Sequence, residues 1–227
     1  MSHQPVNQGL GVEMVAPAQT LRQYVTDVRM WLHGEGPATH VAQQPAVQPV
    51  PLYLSALVST AVELGGELAD GLMPFLWTAE RVAKSQVWAE RGRAKASSLG
   101  PLDMTLGLPT FIGDDVQSQR EAARQNLGLF TTFPFFQRLF RVSGFEEEAE
   151  QMEQGQAGPD SLTDRILDAV CLLGSLECCQ EQLSAFRGSG VDMPILMPPL
   201  VWSRRAQLSK HSADRTSQAC SAWYLRG

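Results

Sequence analysis

The residues whose types and order suggest chemistry most directly are Ser55-Ala56-Leu57-Val58-Ser59-Thr60. The apolar run Leu52 to Leu57 passes straight into Ala61, Val62, Leu64 and Leu68 at helical spacing, so these six residues form the turn between a strand and a helix. Backbone N–H groups in such a turn, together with the positive end of the helix dipole, favour an anion such as a phosphate. The same turn also reads as a plain helix start in which Ser59 or Thr60 is the N-cap. Glu63 and Glu67 stand four apart on one helix face, a spacing that suits an acid/base pair and equally a solvated face; the solvated face is expected. His33 and His40 sit at a helix end and in a proline-rich loop and receive no catalytic role.

Other chemistries are excluded by spacing. Cys171, Cys178, Cys179 and Cys220 lie late in the chain, and three of them fall in a stretch that reads as helical, where a vicinal pair cannot easily bridge. They are expected to be reduced thiols. A zinc site needs two spaced pairs or nearby histidines, and His3, His33, His40 and His211 are far from the cysteines in sequence, so no metal site is expected. Neither a G-x-G-x-x-G nor a P-loop pattern occurs, which argues against a Rossmann nucleotide site or an NTPase. Met73, Met104, Met193 and Met197 fall on strands and read as core filler.

The elements that must position these residues alternate. Leu21 to Leu32 has helical periodicity and stops at His33-Gly34, and residues 37–51 hold four prolines and read as a surface connection. Strands are expected at Leu52–Leu57, Leu72–Leu76, Met104–Ile112 and Val191–Met197, paired in parallel in that order. Between them the pattern predicts a helix after Thr60, a second over Thr78–Ala94 with Arg and Lys on its polar face, and a third capped by Asp114 or Asp115. Residues 131–160 read as helical insertion material whose Glu146-Glu147-Glu148 run is a solvated face, and further helices are expected at Leu162–Leu173 and Leu176–Phe186. The fold class is α/β, with outer helices on a parallel sheet. A closed (β/α)8 barrel needs eight strands, and only four are visible.

Composition narrows the function. The 227 residues carry Lys+Arg 18 against Asp+Glu 24, a formal net charge of −6, which is poorly suited to wrapping a nucleic-acid backbone. No apolar run approaches a bilayer span, and the first twenty residues lack a basic stretch followed by an apolar one, so a cytoplasmic protein with no membrane partner is expected.

The segment Pro51-Leu-Tyr-Leu-Ser-Ala-Leu-Val-Ser-Thr-Ala-Val-Glu-Leu-Gly-Gly-Glu-Leu-Ala-Asp-Gly71 resembles the fifth strand and adjoining helix of the bacterial-luciferase-like flavin or deazaflavin (coenzyme F420) oxidoreductases. Ser2-His3-Gln4-Pro5 and Tyr24 to Glu35 are similar to the stretch just after the fourth strand in that family. Asp114-Asp115, Gly174-Ser175-Leu176-Glu177 and Gly190 to Leu196 resemble its later landmarks in the right order. The resemblance implies a TIM barrel that binds FMN or F420 at the C-terminal ends of its strands and transfers a hydride, or activates oxygen, on a small organic substrate. This chain then holds family strands five to eight, a partial barrel over residues 1–200 with a loosely ordered tail, 201–227.

By the same resemblance, Ser2 and His3 lie at the barrel mouth, and Ser55, Ala56, Leu57, Val58, Ser59 and Thr60 approach the cofactor. No catalytic residue is singled out. The family has Gly-Pro where this sequence has Val58-Ser59, and valine does not easily take a positive φ. Asp70 and Asp192 match landmarks at the opposite barrel end and read as structural. Three functions stay open: an active oxidoreductase; a catalytically silent half-barrel serving as a fragment or dimer partner; or, least favoured, a non-enzymatic helix-rich interaction protein whose likeness to the family is fortuitous. A half-barrel bares its inner face, here Tyr53, Met73, Leu106 or their neighbours, so a homo-oligomer or a complementing half-barrel is expected.

Overall fold

Helix α1 (Pro17–Leu32) begins with proline in its first turn, where a missing N–H costs nothing, and ends as the His33 N–H returns to the Arg29 carbonyl. The computed structural model describes residues 9, 11, 16–35, 47–96 and 98–199. Three strand–helix units come next: β1 (Tyr53–Leu54) with α2 (Ser59–Leu68), β2 (Gly71–Leu72) with α3 (Ala79–Arg93), and β3 (Asp103–Ile112) with α4 (Val116–Leu127). A 3-10 turn, Gly128–Thr132, leads into α5 (Pro134–Val142) and α6 (Glu146–Gln151). The chain then forms α7 (Asp164–Val170), β4 (Leu172–Gly174), α8 (Leu176–Gly188) and β5 (Met193–Met197).

Every pairing is parallel. Tyr53 sits opposite Gly71, Gly71 opposite Asp103, and Thr105 to Pro109 opposite Met193 to Met197. The order β1, β2, β3, β5 is the one expected from the sequence. Strand β4 is an addition: the sequence places a helix through Leu173, whereas α7 stops at Val170, Cys171 is extended, and Leu172–Gly174 pairs with Thr110–Ile112. The physical reason is that Ile166 to Leu173 is apolar almost throughout, and periodicity cannot separate a helix end from a buried strand in such a run.

The core lies between the sheet and its helices, with Leu72, Met104, Leu106 and Leu108 at most 2% exposed and packed in one cluster with Val62, Val82, Leu183 and Phe186. Leu106, expected on the bare inner face, is therefore in the core. The side of β3 facing the other way is shown by Gly107, where an added Cβ would meet the Met197 sulfur and the Phe75 ring. On the methionines the reading holds for Met104 alone: Met73, Met193 and Met197 are 45%, 50% and 41% exposed, because no further strand covers them among the described residues.

Two aspartates lock strand starts. Asp70 Oδ2 accepts from the Leu52 N–H and from Arg29, each at 2.8 Å, and Asp192 Oδ2 accepts from the Met104 N–H at 2.8 Å. Both act structurally at the N-terminal ends of strands. Glu63 and Glu67 are not merely solvated: Glu63 pairs with Lys95 and Arg91 beyond or late in α3, and Glu67 pairs with Arg22 on α1. Within the acidic run, Glu146 and Glu147 are exposed but Glu148 is buried, because Arg165 and Thr163 come to meet it. No helix among the described residues is long and apolar enough to cross a membrane.

Candidate functional site

The turn from β1 to α2 opens at the C-terminal end of the strand. Ser55 and Thr60 are exposed, Ala56 is buried, and Leu57, Val58 and Ser59 are half-buried. The N-cap is Val58, extended at φ −121° and ψ 158°, and no side chain caps the helix. This corrects the assignment of Ser59 or Thr60 as the cap: both have entered the helix. Since the Val58 side chain has no acceptor atom, the first-turn N–H groups of α2 receive no capping side-chain oxygen from it. By contrast α3, α4, α7 and α8 are capped by Thr78, Asp115, Thr163 and Ser175. Val58 has a negative φ, so the turn does not demand glycine here and the valine is unstrained.

The neighbouring strand end is unusual in its backbone. Leu76 is in the left-handed region at φ 56° while only 1% exposed, a conformation that costs a non-glycine residue roughly 1–3 kcal/mol and persists only where packing enforces it. Nothing in the local sequence marks it. Phe75, just before, bridges to Gly107 and lies 5.1 Å from Phe130 and 6.1 Å from Phe136 between ring centres. Phe133 and Phe135 stack at 5.7 Å beside them. These aromatic rings come from the insertion after α4 and wall one side of the C-terminal end of β2.

Arg81 is the functional candidate that sequence reasoning misses. Read as part of a polar helix face, it is 6% exposed, and its Nη2 donates to the Leu57 carbonyl at 2.9 Å. Its guanidinium lies 5.6 Å from the Trp77 ring and 4.9 Å from the Trp88 ring, and burial pulls its pKa below the usual arginine range. The available signal was the pair of tryptophans flanking it, Trp77 just before the helix and Trp88 two turns further along it.

Ser2 and His3 lie outside the described residues, as do His40 and Cys220. His33 is exposed at the end of α1 and borders a 320 Å³ cavity with Arg29 and Asp70 before β1. A second cavity of 540 Å³, lined by Arg93, Met104 and Asp192, opens before β3. Both are at the N-terminal ends of strands, away from the turn. Cys171 and Cys179 are buried free thiols pushed up by desolvation, Cys179 to about 11, and Cys178 is exposed. Among the described residues no group of three or more His, Cys, Asp or Glu side chains could hold a metal ion.

The luciferase-like monooxygenase family matches residues 2–193 of this sequence. The chain belongs to that family. No curated protein sequence matches it. Among solved structures, the luciferase-like chain is similar to the coenzyme F420-dependent tetrahydromethanopterin reductase from Methanopyrus kandleri, at 18% identity and TM-score 0.61, over 83% of this chain and 59% of that one. It is similar to a monooxygenase from Streptomyces bottropensis at 15% identity and TM-score 0.58, over 88% and 59%. It also resembles the oxygenating constituent of 3,6-diketocamphane monooxygenase from Pseudomonas putida, a type II Baeyer–Villiger monooxygenase solved with FMN. That match has 14% identity and TM-score 0.53, over 87% and 62%. These likenesses show the fold, a partial TIM barrel, and the chain spans about three fifths of the length of each. In this luciferase-like fold the turn Ser55–Thr60 and the aromatic wall lie at the C-terminal ends of the strands, the end where barrels of this architecture carry their chemistry.

Proposed function

We propose that this luciferase-like chain forms one half of a flavin- or F420-dependent oxidoreductase or monooxygenase acting on a small organic substrate. The observation that carries the reading is the uncapped N-terminus of α2 at the end of β1, in a chain that belongs to this family. FMN or F420, when bound, supplies the hydride or oxygen chemistry. The first-turn N–H groups of Ser59 and Thr60, with their hydroxyls, suit the cofactor phosphate, and the α2 dipole favours its charge. Ser55, Ala56, Leu57 and Val58 shape the floor of that turn. Ser2 and His3 are proposed at the same mouth on the strength of the family resemblance. The Phe75, Phe130 and Phe133 rings exclude water from one side. A cytoplasmic setting agrees with the free thiols of Cys171, Cys178 and Cys179.

A second reading is a catalytically silent half-barrel or dimer partner, favoured by the chain's coverage of only 59% of the reductase and by cavities that open away from the turn. Titration of the purified protein with FMN and with F420, monitored by absorbance and fluorescence, separates the two. Saturable micromolar binding of either supports the enzyme; no binding of either at millimolar concentration leaves the silent partner.

A further inference from the structure

Arg81 holds a buried positive charge with no carboxylate paired to it among the described residues, and burial draws its pKa down. Its Nε is buried without a partner, while Nη2 rests on the carbonyl of Leu57, the residue just before the α2 N-cap. A desolvated cation without a counter-ion is expensive, and the faces of Trp77 and Trp88 return only part of that cost. That carbonyl belongs to the turn leading into α2, whose first turn has neither a capping side chain nor an acidic residue. Two independent features, an open helix N-terminus and an uncompensated cation anchored behind it, thus converge on one place.

We propose that Arg81 is a positioning residue for the cofactor phosphate: it pins the Leu57 carbonyl, which aims the turn's N–H groups outward, and it adds a fixed positive charge whose counter-ion is the bound phosphate. This rests on the proposal that the turn Ser55–Thr60 receives a cofactor phosphate, and it adds a residue from the next strand–helix unit that does not itself touch the ligand. Two charges several ångströms apart in a partly desolvated site interact strongly enough to change affinity roughly tenfold.

The test compares FMN with riboflavin, which lacks the phosphate, on the wild type, Arg81→Met and Arg81→Lys, using flavin fluorescence at two salt concentrations. If the wild type is selective for F420, intact F420 and its phosphate-free deazaflavin riboside form the equivalent pair. The wild type should prefer the phosphorylated member. Arg81→Met should lose about tenfold in affinity for that member, keep its affinity for the other, and show a weaker salt dependence, whereas Arg81→Lys should keep the preference within about threefold. A merely structural role would weaken both ligands alike. A wild type that binds neither ligand defeats the functional proposal, whatever Arg81 does. A wild-type preference for phosphate that Arg81→Met leaves intact overturns the role of Arg81. Should Arg81→Met fail to fold, Arg81→Lys decides: normal binding of the phosphate-free ligand with the preference lost means that the charge is not what acts, and the proposal falls.

Discussion

Glu148 shows how a single side chain departs from its local pattern. Its carboxylate accepts from Arg165 Nη2 at 2.7 Å and from Thr163 Oγ1 at 3.1 Å, and the Arg165 guanidinium lies 4.8 Å from the Phe145 ring. Burial alone would push the carboxyl up; the hydrogen bonds from Arg165, a backbone N–H and Thr163, with the positive charge of Arg165, together outweigh it and hold the group below the usual glutamate range. The folded pKa is thus lower than the unfolded one, so the stability contribution is complete above about pH 4.3 and is lost as pH falls through the folded value. Glu148→Gln should cost about 1–3 kcal/mol at pH 7, since charged hydrogen bonds are removed from a buried acceptor. In denaturant titrations at stepped pH, the gap between wild type and variant should close below about pH 4. A gap that stays constant down to pH 2 would mean that packing, not charge, sets the effect. The sequence alone shows three adjacent glutamates and no reason for the third to differ, because its partner comes from α7.

At the scale of elements, the contact of α2 with α3 depends on glycine. An added Cβ on Gly66 would strike the Ala89 carbonyl, and one on Gly92 would strike the Glu63 carbonyl, so the two helices meet backbone to backbone. Gly92→Ala should therefore destabilise by about 1–3 kcal/mol or more, as overpacking against unyielding atoms does. Gly188, in the last turn of α8, has nothing within 4 Å of an added Cβ. Gly188→Ala should be neutral or stabilise by up to about 1 kcal/mol through helix propensity alone. Thermal unfolding of the two variants side by side checks this, and equal shifts would refute the helix-contact argument. This contact also matters to the site, because α3 carries Arg81 and α2 presents the turn. The strand–helix alternation was legible in the sequence, but the closeness of these two helices was not, since glycine in a helix reads locally only as a weak helix former.

At the scale of the whole molecule, β1, β4 and β5 are each paired to one strand only, and an apolar side has Met73, Met193 and Met197 substantially exposed. Closing a (β/α)8 barrel needs four more parallel strands on that side. The 227-residue chain is therefore expected to associate, its mass by light scattering rising with concentration, and Met73→Glu with Met193→Glu should lower that mass. A monomer at every concentration that binds no ANS would show the face to be covered from within the chain. Hydrophobic periods and glycine or proline breaks are local, and for that reason the sequence by itself determined that β1, β2, β3 and β5 exist, their crossover helices, their parallel order and the position of the Ser55–Thr60 turn, but not that β1 and β2 shorten to Tyr53–Leu54 and Gly71–Leu72 where the expected runs were Leu52–Leu57 and Leu72–Leu76. The tertiary structure alone decided that Leu172–Gly174 is a strand, that Leu76 takes a left-handed backbone, that Val58 leaves α2 uncapped and that Arg81 is buried behind it. Each of these depends on what distant elements bring to the same place: a pairing edge from β3, packing that outweighs a backbone cost, and two tryptophan faces that hold a charge out of water.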